Sequence, residues 1–201
     1  FGSTIYAQWT ANTYEVAFNG NDATGGNMSN QAFTYDEEQC LQTRSAGIAG
    51  SMYGVEPDKK NFKKLRKCTE SLPYVSIYNA VAWSTDTEVP FSTKAGRQSA
   101  VSAFGQTVAA RSVDSILEGK PATIIKMDVE GCEREALWGA AQTIAKYAPR
   151  LMVSLYHRNE DIFTLPLLIK TLNPHYDIYI RHQLYIPAWE TNLYAVPRKN
   201  K

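Results

Sequence analysis

Cysteine and histidine are scarce, at three residues each in a chain of 201. Cys40, Cys68 and Cys132 are odd in number and far apart. That spacing argues against both a disulfide framework and a cysteine-based zinc site, and it fits a reducing compartment. No stretch approaches the ~20 apolar residues of a membrane span, and no secretory signal pattern is visible. A cytoplasmic location without membrane contact is therefore expected. The chain begins at Phe1, which reads as a piece of a longer protein whose targeting information is not in view. Basic residues are missing from the first 42 positions, where Glu15, Asp22, Asp36, Glu37 and Glu38 stand alone. Residues 43–201 carry all 21 basic groups against 15 acidic ones, so the net charge of +1 hides a contrast between two parts. A boundary near residue 42 is expected, with a short β-rich segment at 1–42 and a larger domain at 43–201. Hydrophobic content of 44% and charged content of 20% are those of an ordinary globular protein.

From residue 51 the pattern alternates strand and helix. Ser51–Val55 reads as a short strand ending at Glu56-Pro57-Asp58, and Lys59–Cys68 as a helix. Phe62 and Leu65 supply its apolar side, with Lys59, Lys60, Lys63, Lys64, Arg66 and Lys67 around the rest. That cluster reads as a solvated face or a nucleic-acid patch. The absence of interleaved aromatics favours the solvated face, so no nucleic-acid partner is expected. Tyr74–Trp83 reads as the next strand, and Ser84–Gln106 as a functional loop or short hairpin. A strand over 122–127 leads into a helix over Glu130–Tyr147, with Leu137, Ala140, Ala141 and Ile144 at helical spacing. Leu151–Tyr156 is a strand, Asp161–Leu172 a helix, and Tyr176–Arg181 with Asn192–Val196 a final antiparallel pair. The alternation predicts an α/β fold with a mostly parallel sheet covered on both faces.

This order has a chemical consequence. Glu56, Asp128 and His157 all end apolar strands, and in a parallel sheet such ends line one rim, where ligands bind. In Ile124-Ile125-Lys126-Met127-Asp128-Val129-Glu130-Gly131, two carboxylates stand at that edge. They also suit the start of a helix, whose dipole favours them there. His157 reads either as a satisfied hydrogen-bonding group or as a catalytic one. A metal site is not expected, because two carboxylates and one histidine distant in sequence do not define a ligand set. His175 and His182 read as structural or exposed.

Residues 51–197 resemble the FkbM-type family of S-adenosylmethionine-dependent methyltransferases. The resemblance rests on Tyr53-Gly54-Val55-Glu56-Pro57-Asp58 with Asn61-Phe62-Lys63-Lys64-Leu65, and on Val113-Asp114-Ser115-Ile116-Leu117. It is strongest over Ile125-Lys126-Met127-Asp128-Val129-Glu130-Gly131-Cys132-Glu133 with Ala136-Leu137-Trp138-Gly139-Ala140, and it extends to Ser154-Leu155-Tyr156-His157. It implies a Rossmann-like sheet and S-adenosylmethionine as cofactor. It implies that Glu56 accepts the two ribose hydroxyls, as an acceptor-only carboxylate can. The turn at Asn79 and Ala80 would lie near the adenine, and Ser99 and Ser102 near the cofactor or acceptor. Asp128, with Glu130 beside it, would stand at the methyl-transfer centre, and His157 would face the acceptor. The implied reaction is O-methylation of a small molecule or glycan, with His157 or Asp128 taking the hydroxyl proton.

Such enzymes begin with a strand and a Gly-x-x-x-Gly turn that cradles the cofactor, and no such turn precedes Glu56. Gly47-Ile48-Ala49-Gly50 abuts the Glu56 strand itself. Residues 1–42 instead resemble a Listeria–Bacteroides (internalin B-type) surface repeat. That likeness rests on Thr4-Ile5-Tyr6-Ala7-Gln8-Trp9-Thr10, Tyr14-Glu15-Val16-Ala17-Phe18-Asn19-Gly20 and Gly25-Gly26-Asn27-Met28-Ser29-Asn30-Gln31-Ala32-Phe33-Thr34-Tyr35. It would make the cell surface an alternative location. In a rival reading, Tyr14–Phe18 is the missing first strand, Asn19-Gly20-Asn21-Asp22 a substitute turn, and Ser29–Thr43 a helix. The strand-like Gln31–Tyr35 counts against it. The alternatives to an enzyme are an inactive methyltransferase-fold binding module and a truncated or chimeric surface-repeat protein.

Overall fold

The computed structural model describes residues 13–16, 31–34, 51–92, 100–101, 105–182 and 191–198. The chain divides into two compact units, Phe1–Met52 and Tyr53–Lys201. In the first, β1 (Thr13–Val16) pairs antiparallel with β2 (Gln31–Thr34), Thr13 opposite Thr34 and Val16 opposite Gln31. A helix over Ser29–Thr43, which the substitute-turn reading requires, is thus ruled out at 31–34. Ser99 and Ser102 lie outside the described residues.

The second unit starts with β3 (Met52–Val55), α1 (Lys59–Thr69) and β4 (Val75–Tyr78), in which β3 and β4 are neighbours. Asp58 caps α1 by accepting from the Asn61 amide at 2.8 Å, and Arg66 and Lys67 in the last turn complement the helix dipole. The helix has no fully buried residue; Phe62 and Leu65 are half-buried and the lysines face solvent. The expected strand Tyr74–Trp83 is in fact two. Asn79 and Ala80 break it, and β5 (Val81–Ala82) continues into a different sheet, parallel to β8 (Gln106–Arg111). Within the stretch expected to be loop or hairpin lie β6 (Thr87–Ser92) and β7 (Ala100–Val101), paired antiparallel, with β6 also antiparallel to β8. Val81, Val89, Phe91 and Ala110 form the small core of this sheet.

The remaining sheet has the order β11-β12-β10-β9. Helix α2 (Val113–Leu117) precedes β9 (Ile124–Met127); α3 (Glu133–Trp138) and α4 (Ala141–Tyr147) carry the chain to β10 (Arg150–Ser154), parallel to β9. Helix α5 (Asp161–Leu172) follows, and β11 (Tyr176–His182) with β12 (Thr191–Pro197) forms the expected antiparallel pair. β12 is also antiparallel to β10. The fold is mixed α/β with parallel and antiparallel pairing. Its main core joins Met127, Leu151, Val153, Leu193 and Ala195 from the sheet to Ala136, Leu137, Ala140, Ile144, Leu165 and Ile169 from the helices. Tyr176 is buried among them, its hydroxyl donating to the Pro149 carbonyl at 2.6 Å, and burial raises its pKa.

The single helix expected over Glu130–Tyr147 is also two. At Gly139 the chain passes so close to β5 that an added Cβ would stand 1.9 Å from the Trp83 carbonyl oxygen. Two aspartates lock this region. Asp114 accepts from the Gln142 and Thr143 amides, both at 2.9 Å, at the start of α4. Asp86 accepts from the Ser112 amide, the Ser115 hydroxyl and Arg111 at the start of α2.

Candidate functional site

β9 and β10 run parallel, so their carboxyl ends emerge side by side. Beyond β9, Asp128-Val129 leads into a tight turn closed by the Cys132 amide on the Val129 carbonyl at 3.1 Å. Its central residues, Glu130 (φ 50°) and Gly131 (φ 89°), are both left-handed. Glycine accepts that conformation freely and glutamate at a cost. A side chain at Gly131 would also press on Arg158, whose Nε would lie 3.3 Å from the added Cβ.

Beyond β10, His157 turns its ring into the gap. Its side chain is 8% exposed, against 40% for Asp128 and 42% for Glu130. Nδ1 is 2.7 Å from Oε1 of Glu133, a fully buried carboxylate in the first turn of α3. The same oxygen accepts the Val129 amide at 3.0 Å. Nε2 faces Asp128 Oδ1 at 3.5 Å and Glu130 Oε2 at 3.4 Å, and has no hydrogen-bond partner. The Tyr156 hydroxyl donates to Asp128 Oδ1 at 3.0 Å. Burial acts to lower the pKa of His157, but the Glu133 hydrogen bond and the charges of Glu133, Asp128 and Glu130 outweigh it and raise it. Burial raises that of Glu130, assisted by Asp128 and Glu133 and opposed by His157. The site is a buried imidazole ringed by three carboxylates.

The structure therefore brings together Asp128, Glu130 and His157, as their places at strand ends predict. His157, distant in sequence, thus stands beside both carboxylates in space. Asp128, Glu133 and His157 offer donor atoms that all lie within 4.8 Å of one another. Glu133 and Tyr156 were missed as site residues, one absorbed in a helix and the other in a strand. The available signals were the three-residue spacing of Glu130 and Glu133 and the direct adjacency of Tyr156 to His157.

Glu56 and Asn79 form a second group. The Glu56 amide donates to the Tyr78 carbonyl at 3.0 Å, which extends the β3–β4 pairing to the strand end. Its Oε1 accepts the Asp58 amide at 2.7 Å, and burial, then the charge of Asp58, raises its pKa against that bond. Asn79 spends both amide protons on the carbonyls of Glu56 and Pro57, at 2.9 and 3.1 Å. It holds the turn that presents Glu56. Ala80 is buried in the bend that follows. A shallow depression lined by Lys59, Phe62, Lys63, Arg66 and Asn79 lies on this side, with the Arg66 guanidinium 5.1 Å from the Phe62 ring centre. Among the described residues no hydrogen bond or ion pair joins this group to the Asp128 cluster.

The sequence profile of the methyltransferase FkbM domain matches residues 21–187. That match takes in residues 21–42, part of the stretch likened above to a surface repeat. The crystal structure of methyltransferase FkbM from Methylobacillus flagellatus KT is similar, with a TM-score of 0.63 and 27% identity over 78% of this chain and 39% of that one. The chain thus spans well under half the length of that protein. No curated protein matches the sequence. No helix among the described residues is long and apolar enough to cross a membrane.

Proposed function

The chain belongs to the FkbM methyltransferase family, and from that premise we propose that it methylates a hydroxyl of a small molecule or glycan with S-adenosylmethionine as donor. The observation that carries this reading is the buried His157 ring, held by Glu133 with Nε2 directed at Asp128 and Glu130 beyond two parallel strands. When bound, the cofactor supplies a methyl group on a sulfonium, already activated for in-line displacement. The protein has to align the acceptor, exclude water and accept a proton; alignment alone is worth up to about 7–11 kcal/mol.

Glu56 fits the ribose. A carboxylate has about four acceptor sites, and one bond to the Asp58 amide leaves capacity for two hydroxyl donors. Asn79 acts on the cofactor indirectly, by holding the Glu56–Pro57 carbonyls in place. The partly exposed carboxylates of Asp128 and Glu130 give the rim a negative field suited to a cationic donor. Asp128 and His157 are the groups to which an acceptor hydroxyl can lose its proton. In this reading the described strands are parts of one Rossmann-like sheet, with Glu56 and Asp128 on the same rim.

Isothermal calorimetry with S-adenosylmethionine tests the reading. The full chain should release measurable heat, and Glu56→Ala should weaken binding at least ten-fold, about 1.4 kcal/mol. No heat at millimolar cofactor would reduce the chain to a binding module with a methyltransferase fold. In a methyl-transfer assay with an accepted substrate, His157→Ala should lower kcat by about 10²-fold or more.

A further inference from the structure

We infer that Glu133 is a positioning residue: from full burial it holds the ring of His157 in the doubly protonated form, so that His157 serves the rim as a fixed cation and hydrogen-bond donor and not as a base. One oxygen of Glu133 has two tasks. Its Oε1 accepts the Val129 amide at 3.0 Å and lies 2.7 Å from Nδ1 of His157. It therefore ties the ring to the turn that carries Glu130. The short contact places a proton on Nδ1, because charge-assisted N–H···O bonds close to about 2.7–2.9 Å and a lone pair there would meet an anion. Nε2 lies 3.5 Å from Asp128 Oδ1 and 3.4 Å from Glu130 Oε2. A bare Nε2 would turn its lone pair toward both carboxylates, in a side chain only 8% exposed. A second proton converts both repulsions into attractions.

The rest of the neighbourhood agrees. Burial opposes the second proton, and the Glu133 hydrogen bond with the charges of Glu133, Asp128 and Glu130 outweighs it. The Tyr156 hydroxyl donates to Asp128 Oδ1 at 3.0 Å, and its ring centre lies 4.2 Å from that of His157. Asp161, in the first turn of α5, interacts with Glu133 and Arg158; burial and then the Glu133 charge push its pKa up to about 6, against Arg158. At 3.4–3.5 Å Nε2 attracts the two rim carboxylates without a hydrogen bond to either. Its N–H is thus left for an oxygen that enters the gap. Of the two groups able to take the acceptor's proton, this leaves Asp128, so the proton passes from the acceptor hydroxyl to that carboxylate; this last step alone rests on the methyl-transfer reading.

The test is a pH titration of the ¹⁵N-labelled full chain, followed by NMR at the imidazole nitrogens, with the His157 signals assigned as those lost in His157→Gln. Both ring nitrogens of His157 should stay protonated to a pH above the ~6.5 of an unperturbed histidine. When the ring does lose a proton, Nδ1 should keep its own. Glu133→Gln, which retains an oxygen for the Val129 amide, should shift the midpoint down. Asp128→Asn and Glu130→Gln, at partly exposed positions, should each shift it down by less. Circular dichroism establishes that each variant is folded. The inference is overturned if His157 titrates below ~6.5 in the parent, if its neutral ring holds the proton on Nε2, or if Glu133→Gln shifts the midpoint no more than the other two variants do. Should Glu133→Gln fail to fold, the parent's neutral ring decides alone: a proton on Nδ1 upholds the role of Glu133 and one on Nε2 overturns it. These readings need neither cofactor nor acceptor, so an absence of S-adenosylmethionine heat would remove the methyltransferase reading and leave this one standing.

Discussion

Glu130 occupies a left-handed backbone conformation that a non-glycine residue adopts at a cost of about 1–2 kcal/mol. Its carboxylate gains little in return, because burial and the charges of Asp128 and Glu133 outweigh His157 and raise its pKa. Strain that its one ion-pair contact, with His157, does not offset, at a strand end, is where function is to be sought. Glu130→Gly should therefore raise stability by about 0.5–1 kcal/mol; denaturant melts check this, and a loss of stability would refute it. Asp86 behaves in the opposite sense. Burial would raise its pKa, but bonds from the Ser112 amide, Ser115, Arg111 and the Ser112 hydroxyl hold it at about 2. Its folded pKa lies below an unfolded value of about 3.9, so its contribution is complete above pH ~4 and is lost as pH falls towards 2. Asp86→Asn should flatten the acid limb of the stability curve in that window. An unchanged slope would show that Asp86 does not anchor α2.

At the scale of elements, Gly139 decides where two helices part and how closely β5 can approach them. An added methyl would overlap the Trp83 carbonyl, backbone that cannot rotate aside. Gly139→Ala should cost about 3 kcal/mol, the upper range for overpacking, with thermal melts as the readout. A loss below 1 kcal/mol would mean the junction is soft. The same residue shows what was legible from sequence. The buried spacing Leu137, Ala140, Ile144 reads as one helix because the period continues through the break, and the break coincides with tertiary contacts to Trp83 and Asp114. Asn79 interrupts a continuous apolar run for a similar reason, since its amide bonds back to the Glu56 turn across 23 positions of sequence. By contrast Asp161–Leu172 is legible to the residue despite Pro166 within it, because Leu165 and Ile169 are fully buried and packing outweighs the lost backbone bond. In the site, Asp128, Glu130 and His157 are visible because each follows the end of a strand. Glu133 is far less so, since its one local signal, the three-residue spacing from Glu130, equally suits a carboxylate complementing a helix dipole.

Across the second unit, stability is distributed unevenly. The main core lies with β9, β10, β11 and β12 and their helices, and β10 and β12 are paired on both sides. The β3–α1–β4 segment has no fully buried residue in any of its three elements. At the edge of its sheet among the described residues, β9 leaves Ile124 65% exposed. The proposed ribose ligand, Glu56, therefore sits in the weakest part and the proposed chemistry beyond the strongest. Local opening follows the density of buried contacts, so α1 amides should exchange hydrogen through small fluctuations and β10 and β12 amides only through global unfolding. A ligand that binds only the closed form adds RT ln(1 + [L]/Kd), about 2.7 kcal/mol at a hundred times Kd. S-adenosylmethionine at that level should thus slow exchange in β3, α1 and β4 by about a hundred-fold, the most any opening can be slowed. The slowing should be greatest where opening releases Glu56. Equal protection of α1 and β10 in the free protein would remove the uneven landscape. Uniform slowing across the unit would show that the Glu56 segment opens only together with the core.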